Sequence, residues 1–335
     1  MPVSWEDHEL EAVTECAVCG RHDLGPLYRD LKVHDPEGWS IDRCKGCGTG
    51  HLNPRPTPQA IAKAYVGDYA PYVARPARAD ALGRVARVRR DVEDAYLARR
   101  WHYPQLASSS SLALLSIGMP SLRRTADRLV RFAPGSPVGA RLLDIGCATG
   151  TYIEMMRDLG WQTRGVEMDA GAVETARRSG LEVRQGTMED VNPDVDGTFD
   201  HVTVGHVIEH VHRPVDALHA AYRVLRPGGR LWIGTPNLAS AASRLFRSRW
   251  RALEPPRHLV LFTPGSLALA LRKAGFSEVQ LVRSQPSAGW HLNESARLAG
   301  VEHRRPLAAA AHVVNAASYV RPDLSDEMTF IATRT

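Results

Sequence analysis

The sequence predicts an α/β fold: an open, mostly parallel sheet of seven strands, preceded by a small cysteine-rich module and a helical bridge. Three observations predict it. The stretch Arg141-Leu-Leu-Asp144-Ile-Gly146-Cys-Ala-Thr-Gly150 reads as a buried strand and a glycine turn, and Tyr152 to Leu159 then reads as a helix. A second strand, Thr163–Val166, ends in the acid Glu167. Two matched knuckles, Cys16-x-x-Cys19-Gly20 and Cys44-x-x-Cys47-Gly48, stand ahead of the sheet.

Strand, glycine turn and helix open a βαβ unit, and in open α/β sheets ligands bind beyond the carboxyl ends of the strands. Glycine is required there because a Cβ would block approach to the backbone. A dinucleotide fingerprint would read G-x-G-x-x-G, with a helix N-terminus facing pyrophosphate. This turn reads D-x-G-x-x-x-G and lacks that nest, which suits a nucleoside ligand without phosphates. Glu167 lies roughly 20 residues on, where a carboxylate accepts both ribose hydroxyls.

These residues resemble the class I S-adenosylmethionine (SAM)-dependent methyltransferases, whose sheet is Rossmann-like. The resemblance implies that Asp144, Gly146 and Gly150 shape the methionine pocket and that Glu167, with Met168 beside it, holds the ribose. It also implies that Gly186, Thr187, Met188 and Glu189 border adenine, and that His206 lies in a loop over the cofactor.

At 335 residues the chain has room for one large and one small domain. No apolar run is long enough to span a membrane, and the acidic start Ser4-Trp-Glu-Asp-His-Glu is unlike a signal peptide, so a cytoplasmic protein is expected. The net charge of +5 would permit an RNA or acidic-glycan partner. The basic stretch from Arg75 to Arg100 is nevertheless interrupted by Asp80, Asp91, Glu93 and Asp94, which reads as a solvated helix face. Nucleic acid is therefore not the expected partner.

Along the chain, residues 1–56 are expected to form a four-cysteine zinc ribbon. Four thiolates in two close pairs, Cys16, Cys19, Cys44 and Cys47, suit tetrahedral zinc, and glycine after each second cysteine allows the knuckle turn. A β-hairpin around Leu27–Ile41 would fill the gap. Redox dithiols or a disulfide pair are the alternatives, and a cytosolic chain disfavours structural disulfides. Four cysteines leave no open position, so the zinc would be structural. His51-Leu-Asn-Pro-Arg-Pro follows, then a short helix Gln59–Val66 and the tyrosines Tyr65, Tyr69 and Tyr72. The run from Cys16 to Tyr72 resembles the zinc-ribbon front end of bacterial small-molecule and glycan methyltransferases. There the tyrosines would line the substrate mouth or simply pack.

Residues 57–135 are expected to be a helical bridge or lid. It holds an amphipathic helix from Arg75 to Trp101, with Leu82, Val85, Val88, Val92 and Tyr96 on its seam, and a second helix, Ser121–Phe132. Residues 136–335 form the catalytic domain. Its strands are Arg141–Ile145, Thr163–Val166, Leu181–Arg184, Phe199–Val204, Arg230–Gly234 after a Pro-Gly-Gly turn, Ser277–Arg283 and Met328–Thr333. The insertion 284–326 carries a mildly apolar segment, Leu307–Val320, that reads as a lid or dimer helix or as a contact for a lipid-linked substrate.

His206-x-x-Glu209-His210 matches a zinc-peptidase pattern, but it follows the fourth strand over a cofactor loop, so peptidase is rejected. Ubiquinone-type O-methyltransferases read E-x-x-E-H at this place, and some use it to hold a divalent metal. His206 stands here where the first acid would be, which puts that metal in doubt. Methyl transfer to a hydroxyl needs in-line positioning and removal of a proton, and histidine suits the second task. His206, His210 and His258 are the candidate bases. The ribbon and the cofactor turn account for every cysteine, which argues against C5 methylation of a pyrimidine. The expected function is SAM-dependent O-methylation of a small molecule: a sugar, a glycan precursor or a natural-product hydroxyl. An RNA methyltransferase that grips RNA with its ribbon, or a non-catalytic SAM-binding protein, are the alternatives.

Overall fold

The computed structural model describes residues 4–32, 38–65, 83–106, 110–135, 139–283, 286–301 and 305–335. At the front, β1 (Leu10–Glu11) pairs antiparallel with β5 (Arg55–Pro56). The hairpin of β2 (Leu24–Leu31) and β3 (Trp39–Cys44) is followed by β4 (Gly50–Leu52). The expected hairpin is therefore present.

The bridge contains α1 (Arg84–Trp101), α2 (Ser110–Leu115) and α3 (Pro120–Leu129). The predicted seam of α1 is only half realised. Val92, Ala95 and Leu97 are buried, whereas Val85 and Val88 are 85% and 55% exposed because the first two turns extend past the packed region. Leu82, like Tyr69 and Tyr72, lies outside the described residues. The helix expected at 59–66 is a 3-10 turn, Ile61–Tyr65.

The large sheet contains β6 (Arg141–Ile145), β7 (Gln162–Glu167), β8 (Val183–Gln185), β9 (Phe199–Gly205) and β10 (Leu225–Pro236). Two strands complete the seven, β12 (Ser277–Val282) and β13 (Glu327–Thr333), with the short β11 (Val260–Leu261) between β10 and β12 in sequence. Its spatial order is β12-β13-β10-β9-β6-β7-β8. The chain starts in the middle and reverses between β6 and β9, so the crevice for a ligand falls at the carboxyl ends of those two strands. β13 runs antiparallel to β10 with Glu327 opposite Pro236, which returns the chain to that same ligand-facing edge. The expected Pro-Gly-Gly turn is absorbed into β10 as an irregularity between Leu225 and Arg230, with Gly228 at φ 79°.

Helices cover both faces: α4 (Thr151–Asp158), α5 (Ala170–Arg178), α6 (Pro193–Asp196), α7 (Pro214–Val224), α8 (Ala241–Phe246) and α9 (Pro264–Lys273). Caps set where they start. Asp169 accepts from the Ala172 amide to open α5, and Thr263 with Ser266 forms a reciprocal capping box on α9. Buried on both faces, strands such as β6 are largely apolar. Leu142, Leu143 and Ile145 are at most 1% exposed, and each such side chain contributes about 1.5–3 kcal/mol. The insertion supplies α10 (Ala288–Leu298) and α11 (Arg305–Val320). Among the described residues, no helix is long and apolar enough to cross a membrane.

The front module is joined to the large sheet's domain through β11. This strand pairs with β4, Val260 opposite His51, so the small sheet reads β11-β4-β3-β2. Lys273 of α9 donates to the Val18 carbonyl at 3.0 Å, and Arg55 donates to the His212 carbonyl at 3.2 Å. Ile41 and Leu52 share one continuous hydrophobic cluster with Phe262 and Leu267.

Candidate active site

The turn after β6 is built by its two glycines. Gly146 and Gly150 adopt φ of 75° and 85°, and a Cβ on either would lie 2.3 Å from Val207 or 2.4 Å from Leu181. The turn brings the Ala148 amide to a Glu167 carboxylate oxygen at 2.9 Å, and the other oxygen accepts from the Asp169 amide at 2.9 Å. Burial pushes the Glu167 pKa above the usual carboxylate value, against the opposing pull of these amides. Each oxygen retains a lone pair, which is what two ribose hydroxyls require. Met168 beside it is 43% exposed, an apolar surface open to a base.

Asp144 is 1% exposed. One of its oxygens accepts from Arg131 and, at 2.7 Å, from Thr203; the other has no hydrogen-bond partner. A buried carboxylate oxygen without a partner is costly, and the ammonium of a bound amino acid would satisfy it. Arg131 reaches the site from just beyond α3, with its guanidinium 3.7 Å from the Tyr152 ring centre. Nothing in the sequence pattern marks it. Of the adenine loop, Gly186 donates to the Glu167 carbonyl at 2.9 Å, and Thr187 is fixed by Asp190 at 2.8 Å. Glu189 is exposed, whereas the Met188 side chain is only 2% exposed and packs into the core, so it offers a ligand backbone only.

Beyond β9 the three candidate histidines separate into two environments. His206 lies between two carboxylates, with Nδ1 3.3 Å from Glu209 and Nε2 3.5 Å from Glu327. Carboxylates on both sides favour the doubly protonated ring. Burial opposes that charge, but 41% of the side chain is open and the two acids dominate, raising the pKa to about 10. The two acids thus favour the charged form of His206, which leaves His210 and His258 as the candidate bases with a ring nitrogen not facing an acid. Burial pushes Glu209 up, but His206 and the other histidines outweigh it and hold it at about 2.

His210 and His258 pack edge to face with ring centres 4.8 Å apart. His210 Nδ1 faces the Arg257 carbonyl at 3.0 Å, and the Tyr65 hydroxyl is 2.9 Å away. His258 Nδ1 faces the Ala252 carbonyl at 2.8 Å. A carbonyl only accepts, so each Nδ1 donates, and in the neutral ring that tautomer leaves Nε2 as the acceptor. Burial lowers the His258 pKa to about 4, although Glu254, 3.9 Å away, pulls the other way. Ligand atoms of Glu209, His210 and His258 all lie within 4.8 Å of one another, and Glu209 Oε1 has no hydrogen-bond partner. Two imidazoles and a carboxylate this close fit a divalent cation, which would compete with the ion pair between Glu209 Oε1 and His206.

The four ribbon cysteines converge in the same manner. All are free thiols whose sulfurs lie within 4.8 Å of one another, with Cys16–Cys47 and Cys19–Cys44 both at 3.5 Å. Tetrahedral zinc at about 2.3 Å per sulfur needs S–S separations of about 3.8 Å, so the set fits zinc. Gly20 and Gly48 take φ of 79° and 80° and donate back to the Cys16 and Cys44 carbonyls at 2.9 Å. The buried His51 adds a contact that the knuckle spacing does not signal, its Nε2 lying 3.3 Å from the Cys16 sulfur.

Fold and crevice together define a class, an α/β domain that cradles a nucleoside at its strand ends with polar side chains gathered over the adjoining strands. Residues 119–281 match a family described as a methyltransferase domain. A ubiquinone biosynthesis O-methyltransferase of Xanthomonas oryzae pv. oryzae (strain PXO99A) is 38% identical over 113 residues, covering 32% of this chain and 47% of that protein. The enzyme of the same name from Xanthomonas axonopodis pv. citri (strain 306) is 34% identical over 151 residues, covering 42% and 63%. The chain thus spans about half the length of these curated relatives. A crystal structure of a SAM-dependent methyltransferase from Archaeoglobus fulgidus superimposes with a TM-score of 0.43 at 19% identity, covering 62% of this chain and 91% of that one. Residues 119–281 thus carry a methyltransferase domain.

Proposed function

We propose that the protein methylates a hydroxyl of a small molecule, with SAM as donor and His210 as base. The observation that carries this reading is the placement of His210. Its Nδ1 donates to the Arg257 carbonyl, a tautomer that in the neutral ring presents Nε2 as proton acceptor, and it lies just past β9 at the ligand-bearing edge of the sheet. Bound SAM supplies an electrophilic sulfonium methyl and departs as a neutral thioether. Glu167 anchors the ribose, the free Asp144 oxygen meets the methionine ammonium, and Arg131 faces the methionine carboxylate. The acceptor oxygen is held in line, and its proton passes to His210 Nε2. His258 is the weaker base of the pair, because it is 5% exposed and protonates only near pH 4. The relatives named for O-methyl transfer support a hydroxyl acceptor.

Transfer of radiolabelled methyl from SAM into a cell extract tests the reading. Label is expected in a small-molecule or glycan fraction and should survive nuclease. Nuclease-sensitive label that disappears steeply with added salt would instead identify an RNA substrate. SAM binding with no transfer into any fraction would leave a protein that only senses SAM.

The ribbon is proposed to hold one structural zinc, with His51 as a donor to the Cys16 thiolate. A divalent cation on Glu209, His210 and His258 would take His210 Nε2 as a ligand, and would replace its role as base by acidifying the acceptor hydroxyl directly. Elemental analysis of the purified protein separates the two centres. One zinc per chain, lost in Cys44→Ser together with a fall in Tm, is expected from the ribbon. A second metal equivalent that persists in Cys44→Ser and is lost in His258→Ala would establish the histidine centre. Metal-free protein with unchanged Tm would overturn the zinc assignment.

A further inference from the structure

Large apolar side chains that face water are concentrated in two parts of the chain. Among the described residues thirteen such side chains are exposed, and ten of them belong to the bridge helices or to the insertion. The densest run is the end of α2 and the turn into α3, where Leu114, Leu115, Ile117 and Met119 are all at least 40% exposed within six residues. On α11, Val313 and Val320 are exposed, and from Pro306 to Val320 that helix holds no acid, lysine or arginine. Single exposed apolar side chains are normal, whereas a cluster marks a contact surface. The two parts touch each other. Arg124 of α3 donates to the Asn315 carbonyl of α11 at 3.2 Å, and the Asn315 side chain accepts from the Ala288 amide of α10 at 3.3 Å.

The same segments carry the positive charge. From Arg84 to Arg131 there are ten arginines against four acids, and from Arg283 to Arg321 five against two. That surplus of nine exceeds the net +5 of the whole chain, so the remainder is acidic on balance. Arg124, Arg128 and Arg131 turn inward to Asn315, Glu327 and Asp144, whereas Arg87, Arg99 and Arg100 of α1 are exposed. Exposed aliphatic side chains accompanied by arginine suit a partner that is anionic at its surface and apolar beneath, which describes a bilayer of acidic lipids. A second copy of the chain would bring the same positive charge against itself. RNA is met by aromatic side chains on which bases stack, and this turn offers leucine, isoleucine and methionine. No described helix is long and apolar enough to cross a membrane, so the contact is one that lies on the surface.

We propose that the bridge and insertion helices dock on a bilayer rich in anionic lipid, with the turn between α2 and α3 and the exposed face of α11 entering the headgroup layer. This surface adjoins the catalytic edge. α3 runs from the turn to Arg128, with Arg131 just beyond it, and these two meet Glu327 and Asp144 at the strand ends. At 1.5 Å per residue its ten residues span about 15 Å, so docking brings lipid to roughly that distance from the cofactor crevice. The proposal does not depend on which acceptor is methylated.

The test floats the full chain with vesicles of phosphatidylcholine alone and of phosphatidylcholine mixed equally with phosphatidylglycerol. Binding to the anionic vesicles is expected to be at least about tenfold tighter than to the neutral ones, and to weaken as salt rises. Leu115→Asp combined with Ile117→Asp is expected to lower vesicle affinity at least about tenfold, because each places a charge where an apolar side chain met lipid. Both positions are exposed, so Tm and the Kd for SAM stay as in the wild type. Val313→Asp, on a separate helix, should weaken binding as well and decides the matter if the double variant does not fold. Equal binding to the two vesicles, binding to neither, or variants that bind like the wild type would overturn the proposal. So would a chain that ignores vesicles yet sediments as a dimer broken by Ile117→Asp, which gives the face to a second copy. Retention by RNA in place of lipid would overturn it too.

Discussion

Glu167→Ala is expected to weaken SAM binding at least a hundredfold, read as Kd by calorimetry. The carboxylate would receive two ribose hydroxyls, and hydrogen bonds to a charged group are worth about 1.5–3 kcal/mol each. At about 1.4 kcal/mol per tenfold, two of them correspond to roughly two to four powers of ten. The same carboxylate also ties the glycine turn to β7 through the Ala148 and Asp169 amides, so its removal loosens the cradle as well. Glu167→Gln should fare little better, because an amide NH2 group would face one of these N–H donors. A second ligand separates ribose contact from general loosening. The wild type should lose affinity for 2′-deoxy-SAM, whereas Glu167→Ala should hardly distinguish it from SAM, giving the non-additivity expected of directly contacting groups. Equal penalties for the missing hydroxyl in both proteins, or a Kd for SAM within threefold of the wild type, would remove Glu167 from the ribose.

The sheet was legible in the sequence because its central strands β6 and β9 are short apolar runs, and the others are bounded by local punctuation. All seven expected strands overlap those observed, with ends shifted by a few residues. The cysteine knuckles were legible for the same local reason. Contacts that depend on distant parts of the chain were not. Val260–Leu261 is too short to read as a strand, and its partner His51 lies more than 200 residues earlier. Glu327 enters the site only because β13 runs antiparallel to β10. Arg131 gives no periodic signal at all, since it follows the last turn of α3 with φ at 47°. His206 shows the converse limit. Its motif was visible, but one of the two acids that favour its charged form, Glu327, lies 121 residues away.

His210→Ala is expected to lower kcat by about a hundred- to ten-thousandfold, the range for loss of a general base, while leaving the Kd for SAM unchanged. The separation follows from position. Among the described residues, the ring of His210 meets Tyr65, Arg257 and His258, none of which belongs to the glycine turn or touches Glu167. His206→Gln should cost less, because two acids favour its charged form, which contributes charge balance and not proton uptake. His258 supplies a control through pH. Its pKa is lowered to about 4, so its lone pair is present at neutral pH and is lost only as pH falls toward that value. Any ionisation in kcat/KM between about pH 5 and 8, the range in which histidine switches, should therefore persist in His258→Gln. If that ionisation vanished with His258, or if His210→Ala kept full turnover, proton removal would have to be reassigned away from His210. Restored turnover of His210→Ala by added imidazole, which supplies a base without a tether, would tie the defect to proton transfer and not to a displaced Tyr65 or Arg257.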